Sequence, residues 1–354
     1  LHLKSGATIQ NCVTKDNASS YGGAICSAGS VYMYEGSAIT NCSSQAGGAI
    51  YLSYTPSSSS TITKFANFTM YGGTISGNTA YDSTNIAAGG VVVNGTFNMY
   101  GGQLVNNYRR IPTDILGSAV MVFAGGTFNL VDGLIARNAS QDTEYGNTST
   151  SARNGGAVYV KGGIFNMSGG EISKNVAGGF YAPSDGGAVY VANGGAFKMS
   201  GGVITGNTAS RNGGGVYVAN GTFTMSKQAR VTGNTAYLST NDSNYRAFNG
   251  GGVYVGANGT FTMNDSASVD TNTAQCGYKD VLASGGGVYV ENGGVFTMND
   301  QAAVKDNTVP IQYNSSFSDT VFGGGIYVNG TLNLNGGSVT GNTAAVSMWT
   351  PRPP

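Results

Sequence analysis

Charge is the scarcest commodity in this chain. Lys and Arg number 17, Asp and Glu 17, and together they make up 10% of 354 residues, against about 25% in an ordinary globular domain. The two signs cancel, which leaves no electrostatic footprint for nucleic acid or an anionic lipid surface. A single histidine, His2, leaves almost nothing for imidazole chemistry. Four cysteines are too few and too scattered for a disulfide framework. Seven prolines and no Gly-x-y period exclude a collagen helix. No run of 18 apolar residues exists, so no segment inserts into a membrane as a helix. Yet 40% of the residues are hydrophobic, too many for a disordered glycine-rich linker.

What is abundant is glycine, 58 residues, and it recurs in a pattern. Gly213-Gly-Gly-Val-Tyr-Val218 returns at Gly250, Gly285 and, with Ile326, at Gly323. Forms with Ala in third place start at Gly22, Gly47, Gly155 and Gly186, and degenerate copies at Ala88 and Gly117. An apolar-polar-apolar triplet follows each, as in Phe97-Asn-Met99, Phe165-Asn-Met167, Phe223-Thr-Met225, Phe261-Thr-Met263 and Phe296-Thr-Met298. Then comes Ile or Val, two residues, and Asn, as in Ile75 to Asn78 and Val304 to Asn307. Looser triplets stand at Leu1-His2-Leu3 and Leu332-Asn-Leu334.

Each motif alternates apolar and polar with the period of a strand buried on one face. Three short strands per repeat predict an all-β fold: a right-handed, single-stranded parallel β-helix of about 11 coils over residues 1–345. At the spacing of parallel strands the rod is about 50 Å long. Residues 346–354 read as a cap, Met348-Trp349, and a Pro-rich tail or linker. Val-x-Asn-Gly-Thr-Phe at Val218 to Phe223 is also a hairpin signal. A propeller, however, needs 4–8 blades of four strands, which ten repeats of three do not supply. Repeat spacing varies from 25 (Gly22 to Gly47) to 41 (Gly47 to Ala88), nearly all of it between the Asn motif and the next glycines. Variable loops on one edge of the rod are therefore expected. A further insertion, Tyr54 to Asn67, breaks the third coil elsewhere.

Three columns of residues follow. The glycines serve positive φ and close backbone approach at a corner; no helical pattern or P-loop lysine follows them to make a phosphate cradle. Asn78, Asn138, Asn175, Asn207, Asn234, Asn272, Asn307 and Asn342 form an internal amide ladder, with Cys12 and Cys42 in the same place in the first two coils. Adjacent strands put those two thiols within reach of a disulfide, so either a vertical bridge or two packed thiols is expected. The middle residues of the Val-Tyr-Val strands, Tyr51, Tyr159, Tyr190, Tyr217, Tyr254, Tyr289 and Tyr327, face away from the core. They serve as a stacking ladder or as an aromatic strip for sugar rings or a partner protein. Polar, aromatic-bearing loops such as Tyr108-Arg-Arg110, Gln141 to Asn154 and Tyr237 to Phe248 are the other place for recognition.

For catalysis the sequence offers little. Asn264-Asp265 and Asn299-Asp300 share a place in adjacent coils, with Asp270 and Lys305 nearby. These oxygens have the chemistry of a Ca²⁺ site, although turn-forming Asn-Asp explains them as well. No second acid-base group accompanies them, and no cofactor is called for.

Ile-x-x-Asn, a variable loop and Gly-Gly-Ala-[Ile/Val]-Tyr (Gly47 to Tyr51, Gly155 to Tyr159, Gly186 to Tyr190) resemble the repeats of chlamydial polymorphic outer membrane proteins. They are more similar still to repeats of large adhesin-like β-helix surface proteins of gut bacteria and archaea. The resemblance covers residues 1 to about 345; Ile or Val stands where the chlamydial motif has Phe. It implies an extracellular or cell-surface protein used for adhesion, binding glycans or proteins on host or microbial surfaces; the sparse charge makes the expectation a non-enzymatic one. The second expectation is a structural stalk or filament subunit stacking on itself end to end, because Leu1-His2-Leu3 opens mid-coil with no polar cap in front of it. A polysaccharide-acting enzyme comes third.

Overall fold

The computed structural model describes residues 1–344 except 15–19, 57–61, 82–86, 110–114, 140–152, 179–182, 238–246, 276–281 and 311–319. The expected cap and tail, Met348-Trp349 among them, lie outside the described residues. The chain winds as a right-handed parallel β-helix. One coil shows the plan: Val216–Val218, Thr222–Met225, Arg230–Thr232 and Thr235–Ala236, with the next coil resuming at Gly250 and Val253–Val255. The Phe-x-Met strands stack into a first sheet of eleven, from His2–Leu3 to Thr331–Leu334. The Ile/Val strands make a second of eleven, and the Val-Tyr-Val strands one of ten.

The coil has four strands where the sequence motifs show three. Directly after every ladder Asn but Asn138 comes a two-residue strand, Thr-Ala in five coils, which pairs in parallel with its neighbours: Thr208↔Thr235, Ala209↔Ala236. Single bridges at Tyr108↔Ala139 and Ala139↔Val176 join the runs of these short strands into one column. Two residues are too few to show an alternation, which is why this strand leaves no periodic signal. Among the described strands one pair is antiparallel, Tyr54–Pro56 with Ile62–Phe65, and it lies inside the insertion expected at Tyr54 to Asn67.

Register is strict. Phe223 pairs with Phe261 and Met225 with Met263, and the same match recurs along the sheet, so like residues stack on like. Phe68, Phe97, Phe128, Phe165, Phe197, Phe223, Phe261 and Phe296 are fully buried. Neighbouring rings lie with centroids 4.6–4.9 Å apart, which is simply the strand spacing. The inner Val, Met and Ile columns close one continuous core.

At the corner after the second sheet, the residue before each ladder Asn takes a left-handed φ: 54° at Asn106, 54° at Lys174, 63° at Gly233, 53° at Thr271. That turn swings the Asn inward. Each buried Asn then does the same work. Asn207 Nδ2 donates to Asn234 Oδ1 at 2.9 Å and back to the Ile172 carbonyl at 2.9 Å. Its Oδ1 accepts both the backbone N–H and the Nδ2 of Asn175, at 3.0 and 2.9 Å. The ladder runs unbroken from Asn78 to Asn342. It includes Asn107, which an Ile-or-Val reading passes over because Leu104 precedes it. Cys42 closes the lower end, its N–H donating to Asn78 Oδ1 at 2.9 Å.

Deleting one rung orphans several buried groups at once, each costing roughly 1–3 kcal/mol. Asn207→Ala should therefore lower unfolding stability by about 3 kcal/mol or more in a denaturant titration, and Asn207→Leu should do no better, since the same partners stay unsatisfied.

Candidate functional site

The Tyr column of the third sheet is a stack. Tyr159, Tyr190, Tyr217, Tyr254, Tyr289 and Tyr327 follow one another with ring centroids 4.8–5.1 Å apart and planes within 13°. Below Tyr159 the column continues as Met121 and Val92, both fully buried, to Tyr51, which leans on Tyr21 at 4.6 Å. The rings do point away from the main core, but into a secondary one: Ala88, Val92, Met121, Tyr159 and Ala192 cluster with Tyr51 and Tyr190. Tyr159 is 5% exposed and Tyr254 6%. Ring faces meet ring faces, and what reaches solvent is chiefly edge.

Ala247–Asn249, Leu282–Ser284 and Thr320–Phe322 form a further parallel sheet; Phe248 and Ala283 pack with Ala274 and Val309, over the short strand after the ladder Asn. At the Tyr column itself, Phe322 leans on Tyr327 at 5.8 Å. Arg211 lies beside Tyr190 and Tyr217 and grips Asp185, Nε to Oδ1 at 2.8 Å and Nη2 to Oδ2. Asp185 Oδ1 also accepts the Asn212 N–H at 3.1 Å. Of the loops singled out for recognition, most of Gln141 to Asn154 and of Tyr237 to Phe248 lie outside the described residues.

Asp265 and Asp300 are brought together, and each carboxylate accepts a backbone N–H from the coil below: Lys227 N to Asp265 Oδ2 at 2.8 Å, Asp265 N to Asp300 Oδ2 at 2.9 Å. Both residues have φ of 54°, so each shapes its turn and caps its neighbour's. Asp270 does stand beside Lys305 in register, but its carboxylate is bound by Arg230 at 2.9 Å, Thr232 at 2.6 Å and Ser268 at 2.8 Å. Burial resists its ionisation, and those three donors outweigh it and hold the carboxyl below its usual range. Among the described residues no group of three or more His, Cys, Asp and Glu could hold a metal. Cys12 and Cys42 stack as free thiols, Cys42 buried and donating to the Thr40 carbonyl at 3.3 Å; Cys26 is exposed.

A different feature is solvent-facing. At the corner between the first and second sheets, Tyr34, Tyr71 and Tyr100 follow Met33, Met70 and Met99 and form a second aromatic column. Tyr34 and Tyr71 centroids are 5.5 Å apart, Tyr71 and Tyr100 5.7 Å. His2 extends it, 6.1 Å from Tyr34 with its Nδ1 3.2 Å from the Tyr34 hydroxyl, and stacks on Tyr32 at 4.5 Å. These separations exceed the strand spacing, so the rings are slipped sideways and each shows part of its face. Tyr71 is 50% exposed and Tyr100 48%.

Beside them the corner is cut back. In the first two coils and again in the eighth to tenth, four residues join the two sheets, as in Tyr34 to Ser37 and Ser226 to Ala229; in the third to seventh, and again in the eleventh, only three do, mostly ending in Gly-Gly (Tyr71 to Gly73, Tyr100 to Gly102, Ser168 to Gly170). Gly102 shows why: its φ is +88°, and a Cβ there would sit 2.5 Å from Met70 Cε and 2.7 Å from the Gly73 carbonyl. The bare turns leave an open groove of about 530 Å³ lined by Glu35, Tyr71, Thr74, Gln103 and Leu134 over a glycine floor. The residue reading, fixed on the Val-Tyr-Val tyrosines, passes over this column; the signal was Met-Tyr-Gly-Gly at Met70 and Met99.

No protein-family model, curated protein or solved structure matches the chain. Function therefore has to be argued from these sites.

Burial lifts Tyr159 from 10.0 to about 12 and pushes Tyr190, Tyr217, Tyr254 and Tyr289 upward too. An acid whose folded pKa is raised stabilises the fold below its unfolded pKa and loses that contribution as pH climbs toward the folded value. The Tyr159 contribution to stability should accordingly be flat below pH 10 and fall between pH 10 and 12. Ultraviolet titration of the native chain should show Tyr159, Tyr190, Tyr217, Tyr254 and Tyr289 ionising above the ordinary tyrosine range.

Proposed function

We propose that the chain is a non-enzymatic, adhesin-type β-helix at a microbial cell surface that binds glycans or proteins. The observation that carries this is the exposed column Tyr34–Tyr71–Tyr100 beside an open groove, on a scaffold whose other ordered polar and aromatic columns are spent on each other. Aromatic faces half in solvent are a contact surface: large, stiff, and amphipathic. Two ion pairs, Arg211–Asp185 and Arg230–Asp270, are built into the scaffold, and charge is scarce throughout, which supports binding over acid-base chemistry. The extracellular setting rests on the repeat resemblance. Among the described residues no helix is long and apolar enough to cross a membrane.

The test is retention of the whole chain on a panel of immobilised surface glycans and surface proteins, run beside the double variant Tyr71→Ser/Tyr100→Ser. Loss of the two rings should weaken binding by about tenfold or more with the unfolding midpoint essentially unchanged, because both side chains are half-exposed. Turnover of any polysaccharide on such a panel would replace this reading with an enzymatic one.

A further inference from the structure

Resting on that reading, we infer that the groove beside Tyr71 is a binding site for an extended, uncharged oligosaccharide lying along the rod. Its direction comes from its lining. Glu35, Tyr71, Gln103 and Leu134 belong to four successive coils, and Thr74, Gln103 and Leu134 are register partners in the second sheet. The groove thus crosses the strands and repeats its contacts coil by coil, which suits a chain more than a compact ligand.

Its chemistry narrows the occupant. No Lys or Arg lines it, and the one charge is the Glu35 carboxylate. Phosphate, sulfate or uronate groups would find no cationic partner there and one carboxylate to repel them. The amide of Gln103 donates and accepts, the Thr74 hydroxyl does both, and Glu35 accepts. With the slipped, part-exposed face of Tyr71, this set matches a pyranose, which offers an apolar C–H face and a rim of hydroxyls. A peptide could not add as a β-strand, because the strands flanking the groove are paired on both sides in their stacks. The stacked rings also leave no slot between them for a proline. The shortened glycine turns make room: at φ +88° a Cβ on Gly102 would lie 2.7 Å from the Gly73 carbonyl oxygen, so the floor remains backbone that a sugar can approach closely.

The site can be tested by calorimetric titration of the whole chain with neutral glucan, mannan and xylan fragments from monosaccharide to hexasaccharide, with a polygalacturonate fragment and a proline-rich peptide as competitors. Affinity for at least one neutral series should rise tenfold or more with length. Gln103→Ala and Tyr71→Ala should each lower it about tenfold without moving the unfolding midpoint, while Glu35→Gln should leave it within a few-fold. Unchanged binding in Gln103→Ala and Tyr71→Ala would overturn this site and leave the adhesive reading standing. So would preference for the acidic fragment, displacement of the sugar by the peptide, or a wild-type chain that binds surface proteins but no oligosaccharide. A chain that binds neither sugars nor surface proteins overturns both.

Discussion

Register depends on the buried amide ladder. Stacking hydrophobic columns is favourable but permissive: a Phe column tolerates slippage as long as rings still meet apolar atoms. The Asn column does not. Each Oδ1 must sit where the N–H and Nδ2 of the coil below both reach it, and each Nδ2 must reach a carbonyl of the preceding Ile or Val as well, as at Asn234, Asn272 and Asn307. A slip of one residue would leave buried donors without partners at every coil it touched. The left-handed residue before each Asn is the local cost of the arrangement, carried by Gly in some coils and by Asn, Arg, Lys, Thr or Asp in others.

The same ladder explains how the fold tolerates loops of such uneven length. Its bonds and the Phe, Ile and Val columns all lie upstream of the variable segment, between the first sheet and the two-residue strand. Downstream, register is recovered at the glycines. Gly251 shows the constraint: a Cβ there would lie 2.3 Å from the Thr273 carbonyl carbon and 2.5 Å from the Gly286 oxygen. The chain must return through the one gap where backbone meets backbone, whatever it did in the loop. Length variation is absorbed between two fixed points, which is why it is nearly all found in one place.

Much of this was legible in the residues, and the parts that were not share a cause. Motifs with three or more alternating residues announced their strands; Thr235–Ala236 and its counterparts did not, because two residues carry no period. The amide ladder was visible except at Asn107, where Leu replaces Ile or Val. For the tyrosines, alternation correctly put the middle of Val-Tyr-Val outside the main core, but alternation speaks only of direction. Whether an outward side chain meets water depends on what folds over it, and Asp185, Arg211 and Phe322 have no repeat to reveal them. Tyr71 and Tyr100 were hidden for the opposite reason: they sit just past the end of a strand, where the period of two stops.

A solenoid this regular spends its chemistry on itself. The Asn rungs bond each other, the Phe and Tyr rings stack on each other, and Asp265 and Asp300 cap neighbouring turns, so wherever a column runs unbroken its groups are satisfied by the adjacent coil. Groups become available to a partner only where a column starts, stops or slips. The corner after the first sheet is such a place. It changes from four residues to three after the second coil and back after the seventh. Its aromatic column runs only from Tyr34 to Tyr100 before Val131 and Ser168 take over, and its rings slip out of register with the strand spacing. The loss of repetition that leaves those rings half in solvent is also what hollows the groove beside them. Function in such a fold is therefore best sought at the departures from the repeat.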